Sequence, residues 1–180
     1  MTPKEIHEAI FDCDSYSRLG TLLELFRSQK ITHTQCLKTL GQIWESCDNI
    51  ATYKAALSFL LPFDEDGPVK EMMTTAELKA YSALPEEFTV YRGCYEHNKD
   101  GFSWSLDRKL AQGFPLLNRY LQAGQPLLLT ARIPKHVVMA VKLDRGESEV
   151  IAWVYGNDCC DITDEEPISH IEADVTQMTH

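Results

Sequence analysis

The stretch F-T-V-Y-R-G, Phe88 to Gly93, marks a change in the hydrophobic periodicity of this chain. Before it, apolar residues recur at spacings of three and four, which is typical of amphipathic helices. After it, short β-rich runs alternate with Gly, Pro or Asp. Helices first and strands later, without β-α-β alternation, favour an α+β fold over a doubly wound sheet.

The region before this stretch is predicted to be helical. Thr32 precedes a periodic run and is a candidate N-cap, whereas Pro62 and the acidic residues after it end the last helix of the region in a loop. A short further helix is expected at 75–84, closed by Pro85. We therefore predict one domain over 1–180, with a helical N-terminal region at 1–66 and a β-rich core at 67–180.

Composition limits the classes of function. A chain of 180 residues is long enough for one domain with its own hydrophobic core. Its net charge of -10 works against a broad phosphate-binding surface. Six cysteines without a signal peptide indicate reduced thiols. No apolar run approaches the roughly 18–20 residues that span a bilayer, so we expect a cytoplasmic protein that does not enter membranes.

The β-rich half is predicted to contain strands at 88–93, 102–106, 126–133, 137–143 and 147–155. One helix, at about 107–121, interrupts them, and Gly113 and Pro115 are expected to break it. The acidic stretch 158–166 is interpreted as a solvated loop.

Three of the predicted strands carry polar groups on defined faces. Arg92 shares a face with Phe88 and Val90, so its guanidinium should meet a carboxylate or a phosphate. Gly93, directly after it, would allow another molecule to approach the backbone.

The other two strands carry hydroxyls and carboxylates. Ser103 and Ser105 form one hydroxyl face, which can hold a carboxylate or a ribose. Glu147 and Glu149 would likewise share a face with Ile151. Each pattern taken singly is typical of an ordinary strand end, and charged strand ends commonly discourage edge-to-edge pairing.

Metal and thiol chemistry are less well supported by the sequence. Cys94 with His97, and the Cys159–Cys160 pair, lack the spacing of a structural zinc site. The cysteines are interpreted as buried free thiols, and nothing around them indicates a nucleophilic cysteine. We expect no metal.

Taken in order, Tyr91-Arg92-Gly93, Phe102-Ser103-Trp104-Ser105 and Glu147-Ser148-Glu149 resemble the Arg, Ser-x-Ser, Glu-x-Glu signature of the ADP-ribosyltransferase family, bacterial or phage type. The resemblance covers about residues 85 to 155 and leaves the N-terminal region unmatched. Family members often have Thr where this chain has Trp104. The resemblance implies an ADP-ribosyltransferase-like fold: a mainly antiparallel two-sheet β core with the helical region added.

The resemblance also implies an activity, the transfer of ADP-ribose from the co-substrate NAD to a macromolecular acceptor. In that reading Glu149 stabilises the ribose in the transition state, and Glu147 prepares the acceptor. Arg92 holds a phosphate, the backbone of Gly93 bonds the carboxamide, and Ser103 orients Glu149. Ser105 supports the same pocket.

The aromatic group stacked near nicotinamide would be Phe114, with Tyr120 as the alternative. Phe114 could equally serve only to anchor its helix on the sheet.

The acceptor remains open in the sequence. Glu at position 147 favours protein arginine in this family, although nucleic-acid acceptors also occur in it. A toxin, a defence protein or a phage effector on host machinery would fit the small size, with an antitoxin or inhibitor protein as a further partner. The alternatives are a noncatalytic interaction protein on the same scaffold and an NAD glycohydrolase.

Overall fold

The computed structural model describes residues 1–61, 68–118, 120–143 and 148–169. The α-helices in these ranges are α1 (Pro3–Phe11), α2 (Arg18–Arg27), α3 (His33–Ile43), α4 (Lys54–Leu60), α5 (Thr75–Ala83) and α6 (Arg108–Gly113). The strands are β1 (Glu87–Cys94), β2 (Ser103–Ser105), β3 (Leu127–Pro134), β4 (Val138–Lys142), β5 (Glu149–Ala152) and β6 (Asp161–Pro167). Short 3-10 helices span Trp44–Ser46, Ile50–Tyr53, Lys70–Met72, Glu96–Asn98, Phe114–Leu116 and Lys135–Val137. The α+β prediction is confirmed.

Reciprocal capping begins three of the helices. Thr32 accepts a hydrogen bond from the backbone N–H of Gln35, whose side chain accepts one from the backbone N–H of Thr32. Thr2 and Thr74 form the same arrangement with Glu5 and Glu77. Each of these pairs satisfies donors that the first helical turn leaves without intrahelical partners. The predicted N-cap at Thr32 is confirmed.

The strands form one antiparallel sheet in the order β4-β5-β2-β1-β3-β6. Backbone pairing runs without interruption across the six strands, because β2 joins β5 on one side and β1 on the other. The expected two-sheet core is therefore corrected to a single sheet for the part of the chain described. The short strand β2, of three residues, carries the whole connection between the two halves of that sheet.

The acidic stretch near the C-terminus is a strand and not the loop expected from the sequence. β6 pairs with β3 along the edge of the sheet, and most of its side chains are exposed. Two cations from other segments pair with it: Lys99 contacts Glu165 at 2.7 Å, and Arg108 pairs with Glu166. Charged side chains are common on edge strands because they discourage pairing with another chain. Because of these charges, the sequence pattern of the segment resembled that of a loop.

The predicted helix at 107–121 is shorter in the structure. Asp107 caps α6 by accepting hydrogen bonds from the backbone N–H groups of Lys109 and Leu110, at 2.7 and 3.1 Å. The α-helix ends at Gly113, and the chain continues as the 3-10 helix Phe114–Leu116. Pro115 has no N–H to donate, so the break expected at Gly113 and Pro115 is confirmed.

The hydrophobic core joins the helical region to the sheet. One continuous cluster of buried side chains includes Leu22, Leu40 and Trp44 from the helices together with Val90 and Ile151 from the strands. The helical region therefore packs directly against the sheet. The predicted boundary between residues 66 and 67 lies outside the described residues. No helix in the described ranges is long and apolar enough to cross a membrane.

A buried ion pair links α5 to β4. Lys142 Nζ lies 2.8 Å from Glu77 Oε1, and both side chains are 4% exposed. Lys142 also donates to the backbone carbonyl of Met72 at 3.3 Å. Because the pair is removed from water, each charge depends on the other for compensation.

Candidate functional site

A cavity of about 280 Å³ opens between the sheet and the helical region. Its floor is formed by β1, β2 and the first residue of β5, and one wall by α6 and the 3-10 helix after it. Residues of the segment 44–51, which follows α3, add to the lining together with Asn98. The volume is close to the lower end of the range of small-molecule pockets, about 300–1,000 Å³.

Six of the seven residues predicted to form the site line this one cavity: Arg92, Gly93, Ser103, Ser105, Phe114 and Glu149. The seventh, Glu147, lies outside the described residues. Tyr120, the alternative aromatic residue, lines the cavity too. The fold thus brings together groups that are more than 50 residues apart in the chain, while the part that each plays in binding or catalysis remains a prediction.

Strand register defines the polar face of the cavity floor. Ser105 lies directly opposite Tyr91 on one side and Glu149 on the other. Residues opposite each other in an antiparallel ladder project to the same face, so these three side chains are neighbours. Ser103 lies opposite Ile151. The register therefore makes Ser105 the serine adjacent to Glu149, and the orienting role predicted for Ser103 stays a prediction.

Ser105 also connects the floor to the helical wall. It is 7% exposed, and its hydroxyl oxygen accepts a hydrogen bond from the backbone N–H of Asp107 at 3.0 Å. Asp107 in turn caps α6. The serine thus stabilises the turn that sets α6 beside the cavity, a structural role that adds to any contact with a ligand.

Arg92 contacts the segment that joins β1 to β2 and the first residue of β2. Its Nη1 donates to the Ser103 carbonyl at 2.7 Å and its Nη2 to the Asn98 carbonyl at 2.9 Å. Within the described residues, the hydrogen-bond partners of Arg92 are thus two carbonyl oxygens, and the phosphate expected as an alternative to a carboxylate stays a prediction. Nε is buried without a partner in this part of the chain. Burial lowers the pKa of Arg92, and the nearby acidic groups of Cys94, Glu149 and Asp100 oppose that shift.

The guanidinium retains donor capacity for a ligand. It has five N–H groups, and the two carbonyls use one on each terminal nitrogen. A bound anion would offset the cost of keeping this cation partly out of water. Arg92 is therefore a cation at the lining of the cavity that backbone carbonyls hold in place, and strand alternation puts its side chain on the face of the sheet opposite to that of Tyr91, Ser105 and Glu149.

A residue of the helical region forms a hydrogen bond with Glu149. The indole Nε1 of Trp44 donates to Glu149 Oε1 at 2.9 Å, and Trp44 itself is 1% exposed. Sequence reasoning missed this residue, because a tryptophan on the apolar face of a helix looks like an ordinary core residue. No local signal in the sequence distinguishes it. Glu45 and Asp48, which also line the cavity, were missed as well, because an isolated charged residue in a helical region looks like an ordinary surface residue.

Gly93 has a packing explanation. A Cβ atom at this position would lie 1.9 Å from the carbonyl oxygen of Ala111 and 2.6 Å from Cδ of Pro115. The absence of a side chain thus allows α6 and the 3-10 helix after it to lie directly on β1. Close approach does occur at Gly93, as the sequence suggested, and the partner that the structure shows is the protein's own helix.

Replacing Gly93 with Ala is expected to destabilise the protein by about 1–3 kcal/mol, because backbone atoms of α6 must move to admit the methyl group. Gly113→Ala is the matched control, since a Cβ at Gly113 meets no atom within 4 Å. In a helix this second change should be neutral or stabilising by up to about 1 kcal/mol. Urea unfolding of the two variants measures the difference, and equal stabilities would contradict the packing role.

Aromatic side chains form the wall beside α6. The rings of Phe114 and Tyr120 are 6.3 Å apart and tilted by 50°. The Tyr95 hydroxyl donates to the Pro115 carbonyl at 2.9 Å and accepts from the backbone N–H of Gln122 at 3.2 Å. These bonds hold the segment after α6 against β1. A planar ring entering the cavity would therefore meet preformed aromatic surfaces.

The thiols that line the cavity are poor nucleophiles. Burial raises the pKa of Cys47 to about 11 and that of Cys94 to about 11. A cysteine attacks as its thiolate, so both groups are inert near neutral pH. Within the described ranges, no three His, Cys, Asp or Glu residues are grouped so as to hold a metal ion. The polar side chains described in the cavity lining include carboxylates, hydroxyls, the amides of Asn98 and Gln122 and the guanidinium of Arg92.

Comparisons of this chain with protein-family models, curated protein sequences and solved structures found no match in any of the three. The side chains of the cavity itself are therefore the basis for assigning a function.

Proposed function

We propose that this protein is an NAD-dependent mono-ADP-ribosyltransferase, which moves ADP-ribose from NAD to a macromolecular acceptor. The observation that carries this proposal is the arrangement of Arg92, the Ser103–Ser105 pair and Glu149 around one cavity. Their order along the chain is that of the ADP-ribosyltransferase signature. We also propose that the sheet and α6 are arranged as in the ADP-ribosyltransferase fold.

The chemistry of the cavity suits cleavage of the bond between nicotinamide and ribose. Nicotinamide is bound as a cation and leaves as a neutral molecule, so no general acid is needed. The transition state places positive charge on the ribose, and a fixed carboxylate stabilises that charge. Glu149 is the carboxylate at the floor of the cavity and is assigned this role.

The remaining groups would bind NAD and orient it. Arg92 offers a positive charge to a phosphate, and Phe114 offers a face on which nicotinamide can stack, with Tyr120 beside it. The hydroxyls of Ser103 and Ser105 would contact the ribose or Glu149. Because the cavity, at about 280 Å³, is small for a whole dinucleotide, it would receive the nicotinamide and ribose portion of NAD and leave the adenosine end outside.

The acceptor is proposed to be protein arginine, with Glu147 preparing the guanidinium for attack. The proposed setting is the cytoplasm, where the protein would act as a toxin, a defence protein or a phage effector. An antitoxin or inhibitor would then cover the open side of the cavity.

The test is to incubate the protein with NAD and measure free nicotinamide. Release that rises in proportion to the amount of protein is expected, and its absence would contradict the proposal in favour of a noncatalytic binder. NAD labelled in the adenylate phosphate, added to a cell lysate, then identifies the acceptor. Label that is removed by protease but not by nuclease indicates a protein, the reverse indicates nucleic acid, and free labelled ADP-ribose alone indicates an NAD glycohydrolase.

A further inference from the structure

Trp44 is held rigidly at the junction of the helical region and the sheet. It is the residue that directly follows α3 and begins the 3-10 helix Trp44–Ser46. Its ring packs edge-to-face against Phe102, with 6.4 Å between centroids, and Phe102 packs in the same way against Trp153 at 5.4 Å. With 1% of its surface exposed, the indole has no room to change rotamer without disturbing these rings.

The polar end of this ring is directed at Glu149. The Nε1–H donates to Oε1 across 2.9 Å, between residues 105 positions apart in the chain. A hydrogen bond to an ionised carboxylate is stronger than one between neutral groups. Because the donor is fixed by packing, the bond also restricts where Oε1 of the carboxylate can lie within the cavity.

A buried indole N–H is not always paired in this protein. Nε1 of Trp104, which is also 1% exposed, has no partner in the described part of the chain. Trp104 lies on the neighbouring strand β2, where it pairs with Val150 and projects away from the face of Ser105 and Glu149. The bond made by Trp44 is therefore a specific feature of the Glu149 environment.

We infer that Trp44 is a positioning residue for Glu149, and that the helical region is for this reason an integral part of the site. This inference rests on the proposed function. A carboxylate that stabilises the ribose must face it in one orientation, and a displacement of about 1 Å can cost about 100-fold in rate. The helical region, which the family signature does not cover, would then supply the group that holds the catalytic carboxylate.

The kinetic test uses Trp44→Phe, which keeps an aromatic ring but removes the N–H. We expect kcat for nicotinamide release to fall about 10- to 100-fold, with little change in KM for NAD, because ground-state binding is retained. Trp153→Phe is the control, since it removes an indole that packs on the same Phe102 but does not line the cavity. Equal kcat values for the two variants would overturn the inference.

A second measurement is independent of activity. The chain has three tryptophans, so a ¹⁵N-labelled sample gives three indole N–H signals, which Trp44→Phe and Trp153→Phe assign. The Trp44 proton should lie downfield of the unpaired Trp104 proton, and Glu149→Gln should move it upfield while leaving the other two in place. If Glu149→Gln leaves the chemical shift of the Trp44 proton unchanged, the inference is wrong even if the protein is active. If the wild-type protein is inactive but the Trp44 signal shifts as expected, the hydrogen bond is confirmed. The proposed function is then wrong, and with it the role of Trp44 as a positioning residue.

Discussion

Replacing Glu149 with Gln is expected to lower the rate of nicotinamide release by about 100- to 1,000-fold, because a neutral amide cannot offset the positive charge that develops on the ribose. The amide has nearly the shape of the carboxylate and its oxygen can still accept from Trp44, so the fold should be retained. KM for NAD should change little, since the lost interaction is made mainly in the transition state. Initial rates of nicotinamide release at saturating NAD measure the effect.

Glu87→Gln is the matched control for this variant. Glu87 begins β1, and its exposed carboxylate pairs with Arg132 at 2.6 Å, far along the strand from the cavity lining. An exposed pair of this kind contributes at most about 1 kcal/mol to stability, so the control should release nicotinamide at the wild-type rate. If Glu149→Gln retained that rate as well, Glu149 could not be the catalytic carboxylate.

The second large effect is expected at the buried ion pair between α5 and β4. Lys142→Met should destabilise the protein by about 3–5 kcal/mol, because it leaves the Glu77 carboxylate buried without its counter-charge. The double variant Lys142→Met, Glu77→Gln should recover most of this loss, since neither charge then remains and the Gln side chain can still accept from the backbone N–H of Thr74. Urea unfolding at neutral pH measures both. If Lys142→Met cost no more than the loss of an exposed pair such as Lys4–Glu8, the buried pair would not have this role.

The same pair predicts a loss of stability in acid. Burial by itself raises the pKa of Glu77, but hydrogen bonds from Lys142 and Thr74 outweigh it and leave this pKa below its usual value. A group whose pKa is lower in the folded state adds stability above its unfolded pKa, about 4.3 for Glu, and loses that contribution as pH falls through the folded value. Wild-type stability should therefore decrease below about pH 4.3, and Glu77→Gln should reduce the slope of that decrease.

Much of the architecture could be predicted from local patterns. Apolar spacing located the helices before Phe88, and Thr32 marked the start of α3 through its own side-chain chemistry. Alternation and turn residues located β1 to β5 to within a few residues. β6 was missed because its charged side chains suit an exposed edge, where pairing with β3 and not apolar burial stabilises the strand.

The number of sheets could not be derived in this way. Whether strands belong to one sheet or two depends on which edges pair, and here the three residues of β2 bridge β5 and β1. That pairing is a long-range choice, and nothing in the composition of Ser103–Ser105 specifies both partners.

The sequence by itself determined which chemical groups are present on which strands: Arg92 and Gly93 on β1, the serines on β2 and Glu149 on β5. Alternation along each strand also determined which of them share a face, because that depends only on local backbone geometry. The tertiary structure alone decided what those groups contact. It placed Trp44 against Glu149, α6 against Gly93 and two backbone carbonyls against Arg92. These contacts follow from how the helices and loops pack on the sheet, and packing between distant segments leaves no periodic signal in the sequence.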